Sequence, residues 1–214
     1  MGVRQAAGGG RWVDVDPARL SRWVENFGSR HGQPVAHGVP DALVLTAPDG
    51  AVAELHPPPG VPAASDLPAF LRAVSEPRRF GLLLARKGAV AVGVVEGLEL
   101  VSSKVDRHYV QGRTAAGGWS QQRFARRRDN QAKAAAADGT GIVARLLLPE
   151  VRTLTTLVAG GDRQAVDAIL AERSLAPVAA LRAERLLDVP EPRHAVLLAA
   201  IAQARAVLVL VRDP

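Results

Sequence analysis

Gly112-Arg113-Thr114-Ala115-Ala116-Gly117-Gly118-Trp119-Ser120-Gln121-Gln122, followed at once by Arg123-Phe124-Ala125-Arg126-Arg127-Arg128, is the stretch around which the chain is read. The adjacent glycines carry no Cβ, so this backbone is free to take up conformations closed to other residues and to approach another molecule closely. Trp119 is the one bulky apolar side chain in the glycine-rich part. Gln121 and Gln122 offer donors and an acceptor but no titrating proton, so they can position a water or a carbonyl and cannot act as bases. The arginines behind them set a fixed positive field, which suits a nucleic-acid backbone. The same composition also fits a plain surface loop followed by a solvated helix face.

On the N-terminal side of that stretch, three β runs follow one another closely: Phe80–Ala85, Ala89–Val95 and Leu98–Ser102, with turns at Lys87-Gly88 and Glu96-Gly97. Such spacing predicts an antiparallel meander whose third strand continues toward Val105 and Tyr109-Val110. On the C-terminal side, a helix is expected from about Ser120 to Ala137, an interruption at Asp138-Gly139-Thr140-Gly141, and a second helical segment from Ile142 to Leu148. The chain then alternates: strand Thr153–Val158, helix Arg163–Glu172, a strand around Arg185-Leu186-Leu187, a helix from Glu191 to about Gln203, and strand Ala206–Val211. Helices between strands imply parallel additions to the sheet. Three antiparallel strands followed by an α/β tail make an α/β fold with a mixed sheet, the ribonuclease-H-like layout.

Glu76-Pro77-Arg78-Arg79 marks a boundary before this part. Upstream, Leu20, Trp23, Val24 and Phe27 fall at helical spacing, with Asp16 as N-cap and Pro17 at the first position. Two strands, Ala42–Ala47 and Ala51–Leu55, are joined across Pro48-Asp49-Gly50, and a short helix carries Leu67, Phe70, Leu71 and Val74. The expected organisation is a disordered leader over 1–11, an N-terminal α+β extension over 12–78, and a third region over 79–214.

Across its 214 residues the chain is 48% hydrophobic and only 4% aromatic, with a formal charge of +6 and a sequence pI near 10.8. The basic balance points to a polyanionic partner, nucleic acid first and an anionic membrane second. The absence of cysteine excludes disulfides, thiolate metal sites and a cysteine nucleophile. The five histidines show no metal-ligand spacing, so neither a metal nor a cofactor is expected. The N-terminus lacks an apolar signal region and no run approaches a membrane span. A cytoplasmic protein with no membrane partner is the reading.

Phe80-Gly81-Leu82-Leu83-Leu84, the hairpin after it, and Gly117-Gly118 leading into Arg123-Phe124-Ala125-Arg126 resemble the catalytic middle domain of the archaeal and eukaryotic peptide-chain release factors. The resemblance covers roughly residues 79 to 212. In that family a Gly-Gly-Gln loop precedes a helix beginning with a similar Arg-Phe-Ala-Arg run. Here Trp119 occupies the family's glutamine position, and the glutamines follow at 121 and 122. That shift is similar to the divergent branch of ribosome-quality-control peptidyl-tRNA hydrolases, whose glutamine follows a small residue one or two positions along, as in Ser120-Gln121.

The resemblance implies codon-independent ribosome rescue: release of a nascent chain from tRNA at the peptidyl-transferase centre of stalled or split ribosomes. It implies a catalytic set of Gly117, Gly118, Ser120, Gln121 and Gln122, with Gln121 preferred for holding the water. Arg113, Arg123, Arg126, Arg127, Arg128 and Lys133 are expected on RNA phosphates. Trp119 is expected either to stack on a base or to anchor the loop on its own domain. The partners implied are the large ribosomal subunit with its rRNA and peptidyl-tRNA, approached by a monomer. Two rival readings are a non-catalytic ribosome- or RNA-binding module of the same fold and a metal-dependent nuclease. The nuclease needs converging carboxylates, whereas Asp106, Asp129 and Asp138 are scattered in sequence.

Overall fold

The valine- and leucine-rich runs form the expected meander in the computed structural model, which describes residues 3–86, 88–107 and 136–214. These residues fall into two units, one of Arg78–Ile201 and one of Met1–Pro77 with Ala202–Pro214. Together they hold two open sheets and make a mixed α/β chain.

In the Arg78–Ile201 unit the meander strands are β6 (Arg79–Arg86), β7 (Ala89–Glu96) and β8 (Glu99–Arg107), joined by tight turns with Gly88 and Gly97 at positive φ. Strands β9 (Leu157–Gly161) and β10 (Arg182–Leu187) add to β6 in parallel, giving the order β10-β9-β6-β7-β8. Six successive residues of β6 and seven of β7 are buried, as strands covered on both faces require. Edge strand β8 carries the more exposed, mixed pattern.

One face of this sheet packs on three helices: α3, described over residues 136–146, α4 (Arg163–Leu170) and the short α5 (Ala176–Ala179). Leu83, Val92, Leu157 and Ala159 of the sheet meet Ile142, Val143, Leu147, Val166 and Ile169 there. Each of the valine, leucine and isoleucine side chains among them contributes roughly 1.5–3 kcal/mol on leaving water. The Asp162 side chain caps α4 by accepting from Gln164 N and Ala165 N, which turns the chain from β9 into the crossover to β10. On the other face lies α6 (His194–Arg205): Leu197 approaches so closely that a Cβ on Gly93 would stand 3.2 Å from its Cδ2.

The second unit is an antiparallel six-stranded sheet in the order β1-β2-β11-β5-β4-β3. Its strands are β1 (Val3–Gln5), β2 (Arg11–Val15), β3 (Val35–Val39), β4 (Ala42–Thr46), β5 (Val52–His56) and β11 (Val207–Arg212). Helix α1 (Pro17–His31) starts where Asp16 accepts from Ala18 N, and α2 (Leu67–Ser75) starts where Asp66 accepts from Ala69 N. Their apolar faces, Leu20, Val24, Phe27, Phe70 and Val74, cover Val13, Leu43, Leu45, Leu55 and Val209 of the sheet.

Several expectations are corrected. Within the leader foreseen as disordered over 1–11, Val3–Gln5 forms β1 and pairs with β2, because Gly8, Gly9 and Gly10 all take positive φ and turn the chain back. Strand Ala206–Val211 does not extend the sheet of residues 79–214. It lies between β2 and β5, with Val209 paired to both Val13 and Leu55, so the C-terminal strand completes the N-terminal sheet. Asp138-Gly139-Thr140-Gly141 does not interrupt a helix but lies inside α3. The expected strand from Thr153 begins only at Leu157, after a run of turns over 147–153. Strand β3 had no counterpart in the expectations; its exposed Val-Ala-His-Gly-Val sequence lacks a buried alternation.

Candidate functional site

The catalytic candidates Gly117, Gly118, Ser120, Gln121 and Gln122 lie outside the described residues. So do the RNA-contact candidates Arg113, Trp119, Arg123, Arg126, Arg127, Arg128 and Lys133, together with His108 and Tyr109. What the structure does define is the frame from which residues 108–135 depart and to which they return.

Departure is from the end of β8. Arg107 pairs with Ala89, and Ala89 with Arg86, so the two arginines share one rung at the end of the sheet where β6, β8, β9 and β10 all finish. Return is at α3, and the packing there places it at the same end. A Cβ on Gly139 would stand 2.7 Å from Ile169 Cδ1 and 3.3 Å from Val90 Cγ2, and Val90 pairs with Asp106 on the next rung. The Thr140 hydroxyl donates to Ile169 O at 3.2 Å. Gly139 is therefore selected for close helix–helix and helix–sheet approach, since any side chain would push α3 off α4 and β7. Both flanks of the segment are thus fixed to one end of the same sheet.

The other end of α3 is clamped as well. Just after it, Glu150 accepts from Arg79 Nη2 at 3.0 Å and from the Thr153 hydroxyl at 3.1 Å, while Arg79 Nη1 donates to Glu96 at 2.5 Å. The Arg79 hydrogen bond, then that of Thr153, holds the Glu150 carboxyl below the usual glutamate range; the same bond raises Arg79. An arginine between two carboxylates ties the start of β6 to the end of β7 and to the turn after α3.

Charge is distributed unevenly around this frame. Residues 108–135 contain six cationic side chains against one carboxylate, Asp129, so five of the six net positive charges of the chain reside there. Sequence reasoning did not single out Arg86 and Arg107 at the root. Arg86 Nη1 donates to Val189 O at 2.7 Å and so ties β6 to the chain leaving β10, and Arg107 is exposed at the rim. Their positions bordering the Gly88 turn and the glycine-rich stretch were the available signal. Among the described residues, no three His, Asp or Glu side chains lie together as a metal site, and no helix is long and apolar enough to cross a membrane.

The family described as Actinobacteria/chloroflexi VLRF1 release factor matches residues 78–210. No curated protein matches the chain significantly. Among solved structures, one described as "Archaeal protein" is 17% identical with a TM-score of 0.41, covering 75% of this chain and 52% of its own. Another, the archaeal translation termination factor aRF1, is 14% identical with a TM-score of 0.39, covering 91% of this chain and 66% of its own. The present chain thus spans between half and two thirds of the length of these structures.

Proposed function

Because the chain belongs to the Actinobacteria/chloroflexi VLRF1 release factor family, we propose that it is a codon-independent peptidyl-tRNA hydrolase that frees nascent chains on stalled or split ribosomes. The observation that carries this reading is the family match over 78–210, a span that contains Gly117–Gln122 and the arginines after it. The order β10-β9-β6-β7-β8, a meander with two parallel additions, supports a ribonuclease-H-like core for that region.

The chemistry needs no acid or base of its own. The ester joining peptide to tRNA is already activated, so a large part of the barrier is the entropy of placing a water against it. In the proposed site the Gln121 carboxamide, with Gln122 as the alternative, holds that water. Gly117, Gly118 and Ser120 keep the backbone narrow enough to enter a crowded cleft. Backbone N–H groups in this stretch stabilise negative charge as it develops on the ester or on the leaving ribose oxygen. Arg113, Arg123, Arg126, Arg127, Arg128 and Lys133 hold rRNA and tRNA phosphates, and Trp119 stacks on a base. No cofactor takes part. The large ribosomal subunit and peptidyl-tRNA are the partners, a monomer acts, and the cytoplasm is where it works.

The common anchoring of both flanks at one end of the sheet supports this role. A reaching segment delivers a side chain accurately only if its root is fixed, and Gly139, Thr140, Glu150 and Arg79 fix it. The test is release of peptide from stalled nascent-chain complexes by the full chain and by its Gln121→Ala and Gln122→Ala variants. Release by the full chain and its loss in Gln121→Ala are expected. If both variants occupy large subunits and release at the normal rate, the glutamine mechanism is wrong.

A further inference from the structure

In the N-terminal unit, α1 does not seal completely against the edge of its sheet. A groove of about 270 Å³ remains, lined by Val3, Arg11, Val13, Trp23, Asn26, Phe27, Arg30, His31 and Val211. Its composition is unusual for a gap in a core. Trp23, Phe27 and His31 follow one another at i, i+4 and i+8 along α1 and form a row of rings: Trp23 stacks on Phe27 at 5.7 Å with 13° between planes, and Phe27 lies 4.8 Å from His31. Valines from β1, β2 and β11 make the opposite wall.

The polar part of the lining is two arginines, a histidine and an asparagine; carboxylates stand just behind it, Asp213 on Arg11 and Asp49 Oδ2 2.8 Å from His31 Nδ1. Arg30 is exposed and makes no ion pair among the described residues. An anion already rests at this rim: the Asp213 carboxylate takes both Nη groups of Arg11, and its pKa is held below the usual aspartate range by that hydrogen bond first, with Arg11, His31 and Arg30 adding through charge. A stacked aromatic pair beside the Arg30 guanidinium is complementary to a ligand that is itself flat and apolar at one end and anionic at the other.

We propose that this groove holds one nucleotide of single-stranded RNA, its base against Trp23 and its phosphate on Arg30, reaching Arg11 where it displaces the Asp213 carboxylate. The volume, just under the usual range of ligand sites, suits a single base with its sugar and phosphate at the open rim and is too small for a duplex. Base stacking tolerates any sequence because every base presents a π-face, and arginine recognises phosphate in the same way wherever it occurs. The N-terminal unit then contributes its own RNA contact, separate from residues 108–135. This rests on the RNA-directed part of the proposed function and not on its hydrolytic step.

The chain has three tryptophans, so Trp12→Phe and Trp119→Phe leave Trp23 as the only tryptophan, excited at the red edge to avoid Tyr109. Titration of that protein with a short oligoadenylate is expected to quench Trp23, and Arg30→Glu in the same background to weaken the quenching at least about tenfold. Arg30 is exposed on a helix, so the variant keeps its fold, which far-UV circular dichroism checks. Three results overturn the proposal: no oligoadenylate binding by fluorescence anisotropy, binding that leaves Trp23 emission unchanged, or equal quenching in Arg30→Glu. Quenching by an acidic peptide and not by RNA likewise overturns it and makes the groove a protein-docking site. No peptidyl-tRNA enters the experiment, so the result is independent of whether the chain releases nascent peptides.

Discussion

Placing a methyl group at Gly139 sets two effects of known sign against each other. Within a helix, alanine is about 1 kcal/mol better than glycine, so Gly139→Ala stabilises if nothing opposes it. The structure opposes it: the new Cβ would stand 2.7 Å from Ile169 Cδ1, 2.9 Å from Ile169 Cγ1 and 3.3 Å from Val90 Cγ2. Ile169 is 1% exposed, and its branched Cβ restricts χ1 within α4, so its side chain has little room to turn away. Overpacking of this kind costs about 1–3 kcal/mol, which leaves Gly139→Ala between about neutral and 2 kcal/mol less stable. Ile169→Val deletes the nearest atom and alone costs about 0.5–1.5 kcal/mol. Combined with Gly139→Ala it removes the tightest contact and leaves the one at the Cγ1 position, so the double variant is more stable than the sum of the singles by up to about 1 kcal/mol. Urea unfolding of the full chain followed by circular dichroism, with hydrogen exchange over residues 142–147 assigning the transition to the Arg78–Ile201 unit, measures the cycle. If Gly139→Ala alone is stabilised by the full helical increment and shows no coupling to Ile169, close approach is not the reason for this glycine, and the account of how the segment's root is fixed fails.

Gly161 is the stricter case, because φ is +93° and a Cβ would stand 2.4 Å from the Ala85 carbonyl oxygen, which cannot rotate away. Gly161→Ala is expected to lose about 3 kcal/mol or more in the same unfolding assay, and a loss under 1 kcal/mol contradicts the geometry. In acid, the carboxyls of Glu54, Glu150, Asp49 and Asp213 all titrate below their ordinary values in the folded chain, which therefore binds fewer protons than the unfolded one. Their contribution is complete above the ordinary values of 4.5 and 3.8 and is lost as pH falls below them, so the thermal midpoint is flat above about pH 5 and drops beneath it. Glu150→Gln makes that acid limb shallower; an unchanged limb shows that the Arg79 clamp contributes nothing. For the proposed RNA contacts, Arg126→Ala, Arg127→Ala and Arg128→Ala together are expected to lower the slope of log affinity against log salt by up to about three units in ribosomal-particle binding, roughly one per lost phosphate contact. An unchanged slope removes these arginines from the interface.

Legibility in the sequence followed the range of the forces involved. Helix α1 was readable because Asp16, Pro17 and the Leu20, Val24, Phe27 spacing all act within a few residues of one another. The meander was readable because β6 and β7 are apolar throughout and joined by short glycine turns. Gly8–Gly10 was misread for the complementary reason. A glycine run signals freedom when nothing holds it, and only the pairing of β1 with β2 turns that freedom into a hairpin. Gly139 failed in the same way, since its role depends on Ile169, thirty residues away in sequence and in contact in space. Of the candidate site, sequence supplied the chemistry of Gly117–Gln122 and the cationic run, while the rung shared by Arg86 and Arg107 needed the register of three strands.

By itself the sequence determined most of the local elements among the described residues, the concentration of positive charge in residues 108–135 and the resemblance that the family match bears out. Tertiary structure alone decided where the last strand goes. Val207–Arg212 is apolar enough for either sheet, and the N-terminal sheet takes it because β2 and β5 each expose a free edge that β11 saturates on both sides. Backbone hydrogen bonds carry no residue label, so strand composition cannot name a partner. Only the assembled edges, with every N–H and C=O seeking a mate, settle which strand closes which sheet.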